Sequence, residues 1–213
     1  MGRPDQPRGA DGRWIPRGGA GVLAIGAVGA LVLGGGPGAG VGGMGTEVAG
    51  TADSVSVQAR NTNRRSKSDS EWKRLRLRKV GEDVENALDC AANSYGRVRD
   101  FFLRNPCKSL DRMLITLADP SGGTFVVSVS WVRMRAKNDV HPLKDLIDTD
   151  GTGSVHPLGW PLLRSQGVRF TGTPFRSRPT GDHLVVAEGA VVSGNPDPAL
   201  CTASVEAASR LPA

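Results

Sequence analysis

Aromatic residues make up only 5% of this 213-residue chain, with one tyrosine, five phenylalanines and four tryptophans. Together with 29 glycines and 14 prolines, that scarcity excludes one packed core running through the whole length. Histidine occurs three times and cysteine three times, with no Cys-x-x-Cys, which disfavours a zinc knuckle or a thioredoxin-like centre. A serine hydrolase would need a nucleophile turn of the Gly-x-Ser-x-Gly kind, and none is present. Ser121 in Pro120-Ser121-Gly122-Gly123 reads as a hairpin residue. There is no Walker loop and no Gly-x-Gly-x-x-Gly. The glycine-rich stretch 34–45 has neither a preceding strand nor a following lysine, so it does not cradle phosphate.

Charge is also missing from one stretch, and that decides how the rest is read. The chain has 27 Lys and Arg against 21 Asp and Glu, a net +6, with a sequence pI near 9.7, a value that invites a nucleic-acid reading. By segment, residues 1–17 carry four Arg and two Asp, residues 18–46 carry no charge, and residues 60–81 carry nine basic and two acidic residues. Residues 82–213 hold 14 basic and 15 acidic residues, so the part able to form a core is close to neutral. The positive charge is expected on a tether.

The uncharged run is most apolar from Val22 to Leu33, about the length of a signal-peptide core. Continued from Ala20 to Ala39, about 20 helical residues at ~1.5 Å each would cross a ~30 Å hydrocarbon layer. The expectation is a single-pass signal anchor over 18–46. A cleaved signal peptide and a glycine-rich arm of a soluble protein are the alternatives. No Ala-x-Ala site directly follows Leu33. The four arginines ahead of the run hold residues 1–17 in the cytoplasm and place the C-terminal domain outside.

Residues 47–81 read as a linker, rich in Ser, Thr, Asn and charge, with almost no apolar residue before Trp72. Its end carries Lys73, Arg74, Arg76, Arg78 and Lys79 among Trp72, Leu75, Leu77 and Val80. This cluster suits anionic lipid or a cell-wall polymer, at roughly 1 kcal/mol per cation near a charged surface. The alternative is a solvated spacer in which Leu75 and Leu77 begin the domain as an edge strand. With one Trp and no stacking platform it does not suit nucleic acid.

From Glu82 onward the spacing predicts a helix, with Val84, Leu88, Ala91, Tyr95, Val98 and Phe102 on one stripe and Asn105-Pro106 ending it. Two strand-like runs follow, Met113 to Ala118 and Thr124 to Met134, around a Pro-Ser-Gly-Gly turn. Phe125, Val127, Val129 and Trp131 share one face of the second run, with Ser128 and Ser130 on the other. A short helix from Pro142, a hairpin of Val168 to Arg178 and His183 to Val192, and a helix from Pro198 to Leu211 complete the pattern. The order α-β-β-α-β-β-α, joined by hairpins, predicts an α+β domain over 82–213: an antiparallel sheet of two hairpins with helices on one face.

Several stretches together are similar to uncharacterised, membrane-anchored proteins of actinobacteria. They are Asn105 to Arg112, Val126 to Val132, Asp148 to Gly153, Phe175 to Arg178 and Leu184 to Glu188. The resemblance implies a single-pass topology and an envelope location, and carries no catalytic residue. The element order alone also resembles that of PsbP/Mog1-type sandwiches, which implies a binding or scaffolding module.

The three cysteines allow one bridge. A continuous helix from Cys90 to Arg104 would hold Cys90 roughly 21 Å from Cys107, far beyond the ~4.4–6.8 Å Cα span of a disulfide. Either Gly96 breaks that helix or the bridge is to Cys201; the expectation is a long-range bridge including Cys201. Asp148-Thr149-Asp150-Gly151-Thr152-Gly153 has the alternating carboxylates of a calcium loop but lacks its later ligands, so it reads as a turn capping a helix. Arg133, Arg135, Arg176 and Arg178 are a candidate basic patch for an anionic ligand, against a charged sheet edge that blocks aggregation. The resulting expectation is a non-catalytic binding or scaffolding domain without cofactor or metal. The alternatives are a metal-dependent enzyme using His141, His156, Asp148 and Asp150, and a soluble protein with a disordered arm.

Overall fold

The computed structural model describes residues 52–213. The expected tail at 1–17 and the anchor at 18–46 lie outside the described residues. Among the described residues no helix is long and apolar enough to cross a membrane.

Strands β2 (Cys107–Ala118) and β3 (Thr124–Met134) form the expected hairpin. Asp119 closes its turn by accepting hydrogen bonds from the Ser121 hydroxyl (2.7 Å) and the Gly123 N–H (2.8 Å). The same carboxylate accepts from the Asp197 N–H at 2.9 Å, which ties the turn to the start of the C-terminal helix. These donors hold the Asp119 pKa below its ordinary value, the Ser121 hydroxyl contributing most. Further along, β4 (Phe175–Thr180) and β5 (His183–Ser193) make the second expected hairpin, although residues 168–174, expected within its first strand, are irregular.

The sheet has five antiparallel strands rather than four, in the order β1-β2-β3-β5-β4, with β1 spanning Arg78–Ala87. This strand occupies the sequence where a helix was expected. Its backbone pairs along β2 from Arg78 opposite Ala118 to Ala87 opposite Leu110, and Leu88, assigned to the inner helical stripe, is 81% exposed. Only the last part of the stripe is helical, as α2 (Gly96–Arg104), where Val98, Phe101 and Phe102 are buried. Gly96 adopts a positive φ of 63°, a conformation that ends any helix arriving from Cys90.

The expected linker departs most. Residues Ala52–Arg74 form a 23-residue helix, α1. Its inward face carries Arg64, Ser68 and Trp72, all buried, at four-residue spacing. Arg64 donates to Asp111 of β2 (2.8 Å) and to the Pro212 carbonyl (3.0 Å), and its guanidinium lies 4.0 Å from the Trp131 ring centroid.

Helices cover both faces of the sheet, not one. On the first face α1 and α5 (Pro198–Ala208) pack on Met113, Ile115, Phe125, Val127, Val129 and Trp131. The other face is covered by α2, α3 (Val140–Ile147) and α4 (Trp160–Ser165). As the central strand, β3 is therefore buried on both sides, Ser128 and Ser130 included, which corrects the expectation of helices on one face alone. α1 docks through one guanidinium and one indole, Arg64 and Trp72, and so carries no apolar periodicity in its sequence.

Candidate functional site

On the second face the core is divided. One apolar cluster includes Leu110, Val132, Leu184 and Val186 with α2 and α3; the other holds Leu114, Val126 and Ala190 with Leu163 and Val168. Arg112, Ser130, Ser128 and Glu188 lie between them. In the strand register Arg112 stands opposite Ser130, and Ser128 opposite Glu188, which in turn faces Phe175. Polar side chains at adjacent cross-strand positions make a band across an otherwise apolar sheet.

Two irregular segments roof this band and are locked to each other. The Tyr95 N–H donates to the Ser154 carbonyl (3.0 Å), Arg97 N–H to Thr152 (2.7 Å) and His156 N–H to Asn93 (2.8 Å). Their contact needs two glycines. A Cβ on Gly96 would lie 2.6 Å from the Thr152 carbonyl oxygen, and one on Gly153 would overlap the Tyr95 carbonyl. The segment before Tyr95 is held by a disulfide between Cys90 and Cys107, Cα atoms 6.1 Å apart. This corrects the expected bridge to Cys201, which is free and buried. With the helix beginning only at Gly96, the distance argument against Cys90–Cys107 no longer applies.

A cleft of about 340 Å³ opens beside these segments. Its lining includes the aromatic residues Tyr95, Phe170 and Phe175 and the carboxylates Asp148, Asp150 and Glu188, with no Lys, Arg or His. One wall continues a run of rings: Tyr95 stacks on His156 at 4.8 Å between centroids, His156 on Trp160 at 6.0 Å, and Trp160 lies 6.1 Å from Phe170. The adjoining depression shares Phe170 and Thr171 and carries Arg164 and Arg169 without a carboxylate. Charge thus changes sign across Phe170–Thr171.

Glu188 is the half-buried carboxylate of the cleft and has no cationic partner among the described residues. Its carboxylate accepts one hydrogen bond, from the Gly172 N–H at 2.7 Å, and burial pushes its pKa up. Burial, and after it the charge of Glu188, raises the Tyr95 pKa. Asp148 is tied to Lys144 and to the Ser177 hydroxyl. Arg112, the buried cation of the band, bonds to Glu85 and donates to the His156 carbonyl at 3.1 Å. Burial, with the charge of Arg112, lowers the His156 pKa and favours the neutral ring.

The other sequence candidates are scattered. His141 is exposed in the first turn of α3, while His156 is stacked between Tyr95 and Trp160. Among the described residues no three His, Cys, Asp or Glu side chains are grouped to hold a metal ion. The Asp148–Gly153 turn does cap α3: the Thr152 hydroxyl donates to the Leu146 and Thr149 carbonyls. Arg133, Arg176 and Arg178 stand on the face of Trp131, since Arg176 and Arg178 pair with Ala187 and Val185. Arg133 is bridged to Asp182 (2.7 Å), Arg176 to Glu206 (2.7 Å), and Arg135 donates to the Cys107 carbonyl, leaving Arg178 exposed. Lys73, Arg76 and Arg78 are exposed and ion-pair with no described residue, whereas Arg74 pairs with Glu71 and Lys79 with Asp69 and Glu82.

Sequence reasoning missed Tyr95, Phe170, Phe175 and Glu188 as members of one site. The available signal was Glu188 itself, a lone carboxylate inside the apolar run Leu184 to Ala190. No protein family, no curated protein and no solved structure matches the chain, and the functional reading is built on this cleft and its charges.

Proposed function

We propose that the chain is a single-pass protein of the cell envelope. Residues 1–17 lie in the cytoplasm, 18–46 span the membrane, and the α+β body outside binds or scaffolds a ligand without catalysing its conversion. The observation that carries the binding reading is the cleft. It has aromatic walls and a few convergent polar groups on segments held by a disulfide and two interlocked glycines, the usual composition of a preformed small-molecule site. No hydroxyl or thiol of its lining is hydrogen-bonded to a histidine, so the lining offers no Ser–His or Cys–His pair. The Cys90–Cys107 bridge supports an oxidising compartment.

Lys73, Arg76 and Arg78 supply contact with anionic lipid or a wall polymer. Lys73 lies on α1, away from the face on which the cleft opens, whereas Arg78, opposite Ala118, stands on the cleft's face at the far edge strand. Nucleic acid is not a partner in this reading.

Tyr95 is the only tyrosine of the chain, so fluorotyrosine labelling places a single ¹⁹F reporter in the cleft. A library of neutral, cationic and anionic fragments titrated against the full chain in detergent should shift that signal; if none does, the binding reading fails. Protease added to intact cells should cleave the body, and a protected body overturns the topology.

A further inference from the structure

We infer that the cleft beside Tyr95 binds a small organic ammonium cation, its charge held by Glu188 and Asp150 and its alkyl groups lying among Tyr95, Phe170 and Phe175. The inference rests on the binding reading and adds the ligand class. The cleft lining contains three carboxylates and no basic side chain. Two of these carboxylates lack a cationic partner among the described residues. Glu188 has only the Gly172 N–H, and Asp150 ion-pairs with no described residue; Asp148 is already paired with Lys144. Of the basic side chains on this side of the sheet, Arg112 is paired with Glu85 and Lys144 with Asp148, while Arg97, beside Gly96, and Arg169, beside Phe170, adjoin the cleft without lining it. A half-buried carboxylate facing an unfilled concavity is a site for positive charge supplied from outside.

The remaining lining decides which cation. A hard metal ion is held by several converging oxygens, carboxylates foremost, and no three His, Cys, Asp or Glu side chains are grouped to hold one among the described residues. Three aromatic rings in a space of about 340 Å³ instead match an alkylammonium, whose diffuse charge is attracted to ring faces and whose methyl or methylene groups profit from apolar contact. The change of sign beyond Phe170, where Arg164 and Arg169 stand, confines the ammonium group to the Glu188 end.

The test uses the fluorotyrosine-labelled full chain with choline, putrescine and 3,3-dimethylbutan-1-ol, the uncharged carbon analogue of choline. Choline or putrescine should shift the Tyr95 signal saturably, at least about tenfold more tightly than the neutral alcohol. Glu188→Gln should remove that preference, and Asp150→Asn, at an exposed turn, should weaken the cations without altering the fold. If Glu188→Gln does not fold, Asp150→Asn alone decides. Equal binding of the alcohol, or preferential binding of acetate, overturns the cation assignment while leaving the binding reading in place. Absence of any shift across this set and the wider fragment library overturns both.

Discussion

Replacing Arg64 by alanine tests whether residues 52–74 belong to the folded body or merely lead to it. Arg64 is 1% exposed. It bridges Asp111 at 2.8 Å, donates to the Pro212 carbonyl at 3.0 Å and covers the Trp131 ring at 4.0 Å. Without it, buried Asp111 retains the Asn86 amide at 2.6 Å and Arg60 at 3.9 Å. Removing one partner of a buried pair costs about 3–5 kcal/mol, chiefly because the remaining charge is left without compensation. The stacking on Trp131 falls within that loss, since contacts of one side chain do not add. Against a total stability of roughly 5–15 kcal/mol, Arg64→Ala should lower the unfolding free energy by about 3 kcal/mol or more.

Urea unfolding of the full chain, followed by tryptophan fluorescence, reads the change directly, because Trp131 under Arg64 and Trp72 on the same helix are both buried. Arg64→Lys keeps the charge but not the forked geometry and should fall between. Lys67→Ala, on the exposed side of the same helix, should stay within about 0.5 kcal/mol of the parent. A double-mutant cycle with Asp111→Asn should show coupling of about 1 kcal/mol or more. If Arg64→Ala instead matches Lys67→Ala, α1 is undocked and the tether reading of residues 47–81 stands.

Three further outcomes follow. Thiol counting on the denatured, unreduced protein should give one free cysteine, and Cys90→Ser/Cys107→Ser should cost about 3 kcal/mol for a closed loop of this length, whereas Cys201→Ser leaves the bridge intact. Gly153→Ala, which brings a Cβ onto the Tyr95 carbonyl, should destabilise by about 2 kcal/mol or more and perturb the Tyr95 ¹⁹F signal, while Gly151→Ala, with a similarly positive φ but open space around it, should cost about 1 kcal/mol. Because burial raises the Glu188 pKa, the folded state holds this proton more tightly than the unfolded one, and the ionised group opposes folding above its folded pKa. Glu188→Gln should therefore be more stable than the parent at pH 7 to 8, with the gain disappearing as pH falls below the ordinary glutamate value near 4.3; a gain equal at pH 4 and pH 7 would refute the assignment.

The two hairpins were legible because each is a local object. Alternating Phe125, Val127, Val129 and Trp131 set the face, and turns of Pro, Gly and Asp set the length. β1 was not, because its pairing is decided by β2. Val84 and Leu88 satisfied a helical spacing, yet as an edge strand the segment keeps only one side covered and leaves Leu88 in solvent. α1 escaped for a different reason. Its contact stripe is Arg64, Ser68 and Trp72, and a search for apolar periodicity passes over a helix whose buried side is a guanidinium, a serine and a single indole. The disulfide depended on where one helix begins, a boundary set by the positive φ at Gly96.

The site was illegible because its members come from five separated places: Tyr95 before α2, Asp148 and Asp150 after α3, Phe170 in the loop to β4, Phe175 in β4 and Glu188 in β5. None is part of a spaced motif. What unites them is the strand register, which sets Phe175 opposite Glu188, and the meeting of Gly96 with Gly153, which brings Tyr95 to the turn that carries the aspartates. The same rearrangement changes the meaning of the net charge. Of the nine cations between 60 and 81, Arg60, Arg64, Arg65, Arg74 and Lys79 form ion pairs. The charge available to a partner is therefore Lys67 and Lys73 on α1, Arg76 in the turn after it and Arg78 at the start of β1, and a surface that meets it is oriented by the folded body rather than reached by a flexible arm.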